Sequence, residues 1–172
     1  SILKPDLPKD FLLVNLSKGL LAGGITIVES IKTELGINNV VTLKGPSFAV
    51  EVMEHADTLL TLGYTTSKQC SLIKEIVKDT ALHLDFTTDI RGVEVLSVLK
   101  NVYALVLGVV DAKYNSPNTR FMILTKAFSE IRVLLDLLGG DKDTLFLACG
   151  FGDFCLTSLN DLSRNRTLGL LI

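Results

Sequence analysis

The sequence predicts an α/β domain followed by an all-α domain. Up to about Thr88, short apolar runs alternate with stretches of helical period, as a sheet with crossover helices requires. From Asp89 onward the apolar period is helical almost without interruption. The chain has 172 residues, of which 48% are hydrophobic and 21% charged, so it can bury a sizeable core. We therefore expect a domain boundary near Thr88, with residues 1–88 and 89–172 as separate units.

Apolar runs and turn residues set the bounds of each predicted element. Gly36 closes the first helix, and Ser67 is the expected N-cap of the third. The first domain has predicted strands over residues 11–16, 40–43, 58–64 and 82–87, and predicted helices over residues 26–35, 47–54 and 67–78. The second has predicted helices over residues 89–112 and 118–138, shorter ones through 143–160, and one over 163–171. The alternation in the first domain predicts a parallel sheet.

One helix of the second domain carries a polar stripe through an otherwise apolar surface. At about 100° per residue, the polar and small residues share one arc of roughly 120°. They are Glu94, Ser97, Lys100, Asn101, Ala104, Gly108 and Asp111. The surrounding valines and leucines are expected to desolvate Lys100, which lowers a lysine pKa and makes Lys100 a candidate general base. The alternative is that Lys100 snorkels to the surface at a helix end.

Composition argues against several classes of partner. The net charge is −2 and the basic residues are scattered, so no nucleic-acid partner is expected. The chain has three cysteines, Cys70, Cys149 and Cys155, which is an odd number, and their spacing is not that of metal ligands. This indicates a reduced, cytoplasmic protein with no metal site. The apolar stretch 92–112 contains four charged or amide side chains and is too polar for a lipid-facing span, so no membrane insertion is expected.

Two loops of the first domain carry candidate ligand-binding residues. Lys18 directly follows a predicted strand, where a doubly wound sheet presents its ligand-binding edge. Gly45 and Pro46 follow the next strand, and the backbone amides with Ser47 at a helix start can hold an anion or a polar group. The alternatives are a solvated lysine and a simple helix start.

Two segments of the second domain offer further polar side chains. Residues 150–153, Gly-Phe-Gly-Asp, allow a tight turn that aims the aspartate, and Thr157 lies one helical turn later on the same face. In residues 163–166, Ser-Arg-Asn-Arg, Arg164 can grip a phosphate or carboxylate through two parallel hydrogen bonds. The alternatives are an N-cap aspartate and a solvated arginine pair.

The order of these motifs along the chain is that of one family. The motifs are Asn15-Leu-Ser-Lys-Gly19, Leu43-Lys-Gly-Pro-Ser-Phe-Ala-Val-Glu-Val52, Gly92-Val-Glu-Val-Leu-Ser-Val-Leu-Lys-Asn-Val102, Asn118-Thr-Arg120, Gly150-Phe-Gly-Asp153 and Ser163-Arg-Asn-Arg-Thr-Leu-Gly169. Together they closely resemble the bacterial type of NAD(P)-dependent glycerol-3-phosphate dehydrogenase. The resemblance runs along essentially the whole chain.

The resemblance implies a role for each candidate residue. Lys100 would accept or donate the proton at the C2 oxygen of the substrate, in a catalytic set that also holds Lys18, Asp153 and Thr157. The implied substrate-binding residues are Lys18, Gly45, Ser47, Lys100, Asp153, Ser163, Arg164 and Asn165, and those implied near the NAD or NADP cofactor are Lys18, Ala49 and Arg164. We expect Lys100 to be buried against Asp153 or Asn101, and Lys18 and Arg164 to converge on one anion site.

The chain also departs from the family pattern. Lys126-Ala127 stands where the family usually has Arg-Gly, and Asp57-Thr-Leu replaces the common Pro-Thr-Ala. No Gly-rich pyrophosphate turn precedes Lys18, so residues 1–88 are expected to be the second half of a Rossmann-type doubly wound sheet, and the isolated segment 1–172 is expected to bind NAD(H) poorly. The helical domain 89–172 is likewise expected to be truncated, and the choice between NADH and NADPH stays open.

The resemblance implies an oxidoreductase that interconverts dihydroxyacetone phosphate and sn-glycerol 3-phosphate for phospholipid synthesis in the cytoplasm, acting as a homodimer. One rival is a related 2-hydroxyacid or 6-phosphogluconate-type dehydrogenase, which shares a dinucleotide sheet and a helical domain. The motifs Gly45-Pro-Ser-Phe-Ala49 and Ser163-Arg-Asn-Arg166 argue against that rival. The other rival is a helical dimerisation module without catalytic activity.

Overall fold

A computed structural model of the chain describes residue 8 and residues 10–172. The other leading residues of the predicted 1–88 domain lie outside the described part. Within this described part, four strands and seven α-helices follow one another, with a first 3-10 helix at Ala22–Gly24 between β1 and α1 and short 3-10 and π turns between α5 and α6. In chain order they are β1 (Leu13–Asn15), α1 (Ile27–Leu35), β2 (Val40–Lys44), α2 (Ala49–Met53), β3 (Thr58–Gly63), α3 (Ser67–Val77), β4 (Leu82–Thr87), α4 (Ile90–Tyr114), α5 (Pro117–Leu137), α6 (Asp153–Leu159) and α7 (Arg164–Leu171).

The predicted class, α/β followed by all-α, is confirmed. The sheet has the order β1-β2-β3-β4, with β1–β2 and β3–β4 parallel. The β2–β3 pair is antiparallel, with Leu43 opposite Leu62, so the sheet is mixed and the expectation of parallel strands throughout is wrong for this pair. The reason is α2, since a five-residue helix is only about 8 Å long and cannot carry the chain back along a strand of about 17 Å.

The ends of helices α1 and α3 show which residues stop and start a helix. Gly36 closes α1 in the left-handed conformation with φ 69°, as expected. The predicted N-cap Ser67 is wrong, because the hydroxyl of Thr66 accepts from the Gln69 backbone N–H while the Gln69 side chain accepts from that of Thr66. This reciprocal capping box satisfies two N–H groups that have no partner inside the helix.

Helix α4 places its polar stripe toward the interior of the protein. Six of the seven stripe residues are buried, and Asn101 is half-buried. On the opposite side, Val102 is 56% exposed and Val106 39% exposed. Helices α6 and α7 pack against α4 and cover the stripe from Lys100 to Asp111, whereas Glu94 faces the sheet. The desolvation of Lys100 therefore comes from these packed helices, and not from valines on its own helix as the sequence suggested.

Two glycines let α4 and α7 approach backbone to backbone. A Cβ atom built on Gly169 would lie 2.1 Å from the Leu105 carbonyl oxygen, and one built on Gly108 would lie 2.3 Å from the Arg166 carbonyl oxygen. Both distances are far below van der Waals contact, so no larger residue fits without separating the helices. This close packing brings the start of α7 to the polar stripe of α4.

Among the described residues, one helix is long and apolar enough to cross a membrane. It is α4, whose most apolar window has a mean hydropathy of 1.8 and is 50% buried inside the protein. A core helix of this length passes the same test, so length and composition are weak evidence for a span. The absence of membrane insertion stays a prediction.

Replacing Thr66 by Ala should lower the free energy of unfolding by about 1 kcal/mol, because it removes the side-chain acceptor of the α3 capping box. Ser67→Ala is the matched control and should change it by less than about 0.5 kcal/mol, the usual effect of a surface substitution. Urea unfolding of the two variants measures the difference. Equal losses in both would show that the cap is not at Thr66.

Candidate active site

Lys100 lies at the centre of the candidate site. The residue is 5% exposed, which rules out the alternative that it snorkels into solvent. Its Nζ donates to Asp153 Oδ1 at 2.6 Å and to Thr157 Oγ1 at 2.6 Å. The expected burial of Lys100 and its contact with Asp153 are confirmed.

Asp153 holds two ammonium groups at once. Its side chain is 2% exposed, and its second oxygen, Oδ2, accepts from Lys18 Nζ at 3.1 Å. Thr157 Oγ1 lies 3.3 Å from Oδ1 of the same carboxylate, one helical turn along α6. Since one carboxylate faces two ammonium groups, this cluster carries an excess of positive charge toward any ligand beside it.

Burial sets the acidity of Lys100. Desolvation lowers its pKa from the ordinary value near 10.5 to about 8, Asp153 opposes this shift, and Lys18 adds to it. A pKa near 8 means that both the ammonium and the free amine are populated at mildly alkaline pH. A group with both forms available can give a proton in one direction of a reaction and take it in the other.

The glycines before Asp153 fix where its carboxylate points. A Cβ atom on Gly150 would lie 2.2 Å from the Leu145 carbonyl oxygen, and one on Gly152 would lie 3.3 Å from Pro46 Cγ. The turn therefore packs directly against its neighbours, and Asp153 begins α6 at a fixed position. The Gly-Phe-Gly-Asp segment does aim the aspartate, as its sequence predicts.

A polar cavity of about 420 Å³ opens beside this cluster. It is lined by Lys18, Ser47, Phe48, Lys100, Asn101, Asp153, Leu156, Thr157, Leu162, Ser163, Arg164 and Asn165. The structure thus brings Lys18 and Arg164 to one cavity, although they are far apart in sequence. Ser163 is the N-cap of α7 and accepts from the Arg166 N–H, while Arg164 is exposed at the first helical position.

The two other predicted residues lie next to a second cavity. It is apolar, measures about 430 Å³ and shares Lys18 and Ser47 with the first. Gly45 and Ala49 line this cavity and not the polar one. A Cβ on Gly45 would lie 2.9 Å from the Leu59 carbonyl oxygen, so its glycine is required by packing against β3.

Sequence reasoning missed Lys44 and Glu94 as parts of the site. Lys44 is 2% exposed, and its Nζ lies 3.8 Å from Glu94 Oε1. A signal was present, because the alternation of β2 puts Val40, Thr42 and Lys44 on one face. Two polar residues on a buried strand face indicate a polar partner on the element packed above.

Two family models match the chain, each over one part of it. Residues 1–70 match "NAD-dependent glycerol-3-phosphate dehydrogenase N-terminus", and residues 89–172 match "NAD-dependent glycerol-3-phosphate dehydrogenase C-terminus". Both models belong to the same enzyme family, and they match in the order in which the enzyme carries them.

Individual relatives agree with these matches. The chain is 37% identical over 166 residues to glycerol-3-phosphate dehydrogenase [NAD(P)+] of Methanothermobacter thermautotrophicus, covering 95% of this chain and 51% of the relative. The corresponding protein of Thermoanaerobacter sp. is 35% identical, with coverage of 99% and 52%. A crystal structure of glycerol-3-phosphate dehydrogenase from Coxiella burnetii superposes with a TM-score of 0.87 at 30% identity, covering 92% of this chain and 49% of that one. The chain spans about half the length of these relatives.

Removing the Asp153 carboxylate as Asp153→Ala should lower the free energy of unfolding by about 3–5 kcal/mol, because it leaves buried Lys100 without its counter-charge. The folded wild type binds its Lys100 proton up to pH about 8. The folded variant loses that proton at lower pH, so the cost should be largest at acidic pH, shrink as the pH rises toward 8 and stay constant above it.

Denaturant unfolding at about pH 6.5 and about pH 9.5 measures this change in cost. Asp136→Ala, which removes the carboxylate of a largely exposed pair with Lys142, is the control and should cost little at either pH. A loss for Asp153→Ala that is the same at both pH values would show that Lys100 does not titrate in this range.

Proposed function

We propose an activity on one premise: the chain belongs to the NAD-dependent glycerol-3-phosphate dehydrogenase family. The protein interconverts dihydroxyacetone phosphate and sn-glycerol 3-phosphate with NAD(H) or NADP(H). The observation that carries the proposal is the buried Lys100, paired with Asp153 at the wall of a cavity lined by cationic and polar groups, where burial lowers the lysine pKa to about 8. Such a cavity suits a small phosphorylated substrate.

Lys100 handles the proton of the reaction. In the reductive direction the ammonium gives a proton to the C2 oxygen as that oxygen gains negative charge, which leaves Lys100 as a free amine and the substrate as an alcohol. In the oxidative direction the amine takes the proton back. The nicotinamide cofactor supplies or receives the hydride at C2.

Three neighbouring side chains orient Lys100 for this step and add positive charge beside it: Asp153, Lys18 and Thr157. The Asp153 carboxylate and the Thr157 hydroxyl accept from Lys100 Nζ and fix its direction. Lys18 shares the same carboxylate and adds a second positive charge beside the reacting oxygen. Preorganised positive charge at the position where negative charge develops is the largest single contribution in many enzymes.

The phosphate of the substrate binds at the start of α7. Arg164 is exposed there, and among the described residues its guanidinium has no hydrogen-bond partner, so its donors are free for a ligand. Asn165 lies beside it, and the cavity wall also holds Ser47. An arginine fork matches the oxygens of a phosphate through two parallel hydrogen bonds.

The second cavity fits part of the cofactor. A nicotinamide ring is flat, and the leucine, valine and methionine side chains around Ala49 offer an apolar surface against which a ring face can pack. Lys18 and Ser47 line both cavities, which supports binding of the ring in one cavity next to a substrate in the other. These residues would hold the ring, and the preference for NAD or NADP stays open.

Cytoplasmic location, a role in phospholipid synthesis and a homodimeric state complete the proposal. The exposed valines of α4 give an apolar face of the kind that subunits cover. The rival 6-phosphogluconate-type dehydrogenase differs in substrate, and the rival dimerisation module has no turnover. Two assays on the full-length protein separate all three: oxidation of NADH or NADPH with dihydroxyacetone phosphate, and reduction of NADP⁺ with 6-phosphogluconate.

Lys100→Ala in the full-length protein should reduce kcat by about two to four orders of magnitude, the usual loss for a positioned acid–base group. Lys113→Ala, at an exposed lysine of the same helix, is the matched control. Because Lys100 must be protonated to reduce the substrate and neutral to oxidise it, the wild-type reductive rate should fall and the oxidative rate should rise as the pH passes about 8. Near-normal turnover of Lys100→Ala would assign the proton to another group.

Arg164→Lys should raise KM for dihydroxyacetone phosphate by about tenfold or more and leave the unfolding temperature unchanged. Lysine keeps the charge and loses the two parallel hydrogen bonds to phosphate. Arg132→Lys, at an exposed arginine of α5, is the control. If KM is the same in the two variants, Arg164 does not bind the substrate.

A further inference from the structure

We propose that Glu94 and Asn15 are positioning residues for Lys18. Neither residue lines the polar cavity, and neither reaches a substrate there. Both act by fixing the turn between β1 and the first 3-10 helix, on which Lys18 is carried to Asp153. The inference deepens the proposed function and rests on it, since it assigns these residues to the same site.

Glu94 joins three elements through one buried carboxylate. It is 1% exposed and lies on the buried stripe of α4. Its Oε2 accepts from the Val28 N–H at 2.9 Å, in the first turn of α1, and its Oε1 accepts from Thr42 Oγ1 at 3.0 Å, on β2. The Asn15 side-chain amide also donates to Oε1. All contacts of this carboxylate are therefore with the sheet side of the molecule.

Asn15 links the Glu94 carboxylate to the turn that contains Lys18. It is the last residue of β1, and its Oδ1 accepts from the Ser17 N–H at 3.0 Å. Lys18 follows immediately, and its Nζ reaches Asp153. The contacts form a closed ring, because Asp153 bonds Lys100 and both Lys100 and Glu94 belong to α4.

A closed ring of this kind determines a position from two sides. The Lys18 backbone is held to α4 through Asn15 and Glu94, and the Lys18 ammonium is held to α4 through Asp153 and Lys100. Without the link through Asn15 and Glu94, only the contact with Asp153 would position the Lys18 ammonium. The many rotamers of a lysine side chain would then leave that position poorly defined. The ring of contacts therefore positions the Lys18 ammonium more precisely than a surface loop alone would.

Lys44 supplies the counter-charge that a buried glutamate requires. Its Nζ lies 3.8 Å from Glu94 Oε1 and donates to the Asn15 backbone carbonyl at 2.8 Å. A carboxylate removed from water needs an opposite charge and full hydrogen bonding, and Glu94 has both. Lys44 and Glu94 together clamp Asn15, one at its backbone and one at its side chain.

The test is a double-mutant cycle on turnover of the full-length protein with dihydroxyacetone phosphate and NADH. Glu94→Gln and Asn15→Ala are each made in the wild type and in a Lys18→Met background. If the two residues act through Lys18, each should lower kcat/KM by about a hundredfold in the wild type, the scale of a misplaced positioning contact. In the Lys18→Met background each should then change it by less than about twofold, because the group they position is gone.

Glu29→Gln is the matched control. Glu29 is also a carboxylate between α1 and α4, where it accepts from Arg91 Nη1 at 2.5 Å, and it touches neither Asn15 nor Lys18. It should lower the unfolding temperature and leave kcat/KM unchanged in both backgrounds. Equal losses of kcat/KM in the two backgrounds for Glu94→Gln and Asn15→Ala, or a comparable loss for Glu29→Gln, would overturn the proposal.

A readout that needs no activity separates this inference from the proposed function. Hydrogen exchange of the Ser17 N–H, which donates to Asn15, should accelerate in Glu94→Gln and not in Glu29→Gln. Absent turnover in the wild type, with accelerated exchange, would refute the proposed function and leave the link to the Lys18 turn standing. Unchanged Ser17 exchange in Glu94→Gln and Asn15→Ala would refute the positioning role whatever the turnover.

Discussion

The shared carboxylate of Asp153 is the constraint on which the rest of the site depends. Two ammonium groups, from Lys18 near the start of the chain and Lys100 on the central helix, meet on its two oxygens. A buried lysine is strongly unfavourable unless an opposite charge lies within contact distance. The fold must therefore hold Asp153 in contact with both lysines. The glycines before Asp153 allow the close packing that fixes its position, and Thr157, one turn later, accepts a hydrogen bond from Lys100.

Helix α4 also pairs each of its buried charges with an opposite charge. Its stripe of charged and small residues faces inward, whereas Val102 and Val106 are exposed on the opposite side. The inward charges are paired, Lys100 with Asp153, Glu94 with Lys44, and Asp111 with Arg166. Glycines at the crossing with α7 bring the last of these pairs, and Arg164 with it, close to the stripe. The helix thus carries a buried polar stripe beside Val93, Val95, Leu96 and Leu107, which belong to the main hydrophobic core.

Much of this could be predicted from the sequence because the signals are local. The strand at residues 82–87, the glycine that closes α1 and the turn before Asp153 each follow from the residues themselves. The polar stripe was also visible in the helical period, whereas the grouping of Lys18, Ser47, Asp153 and Arg164 in one site came from the resemblance to the family. What these residues do chemically rests on the family and on the proposals made from it.

Other features depend on contacts between distant parts of the chain. The direction in which α4 turns its stripe is decided by α6 and α7, which no periodicity within α4 reports. The antiparallel β2–β3 pair follows from the actual length of α2, which is shorter than its sequence pattern indicated. The pair of Lys44 and Glu94 joins β2 to α4, and neither strand alternation nor helix period alone predicts which residues of two elements meet.

A crystal structure of the full-length protein with dihydroxyacetone phosphate and a non-reactive nicotinamide analogue tests the central claim most directly. We expect the C2 oxygen of the substrate within hydrogen-bond distance of Lys100 Nζ, about 3 Å, and the phosphate on the Arg164 guanidinium. A substrate whose C2 oxygen lies far from Lys100, or whose phosphate occupies the Lys100–Asp153 cluster while Arg164 stays in solvent, would contradict the account.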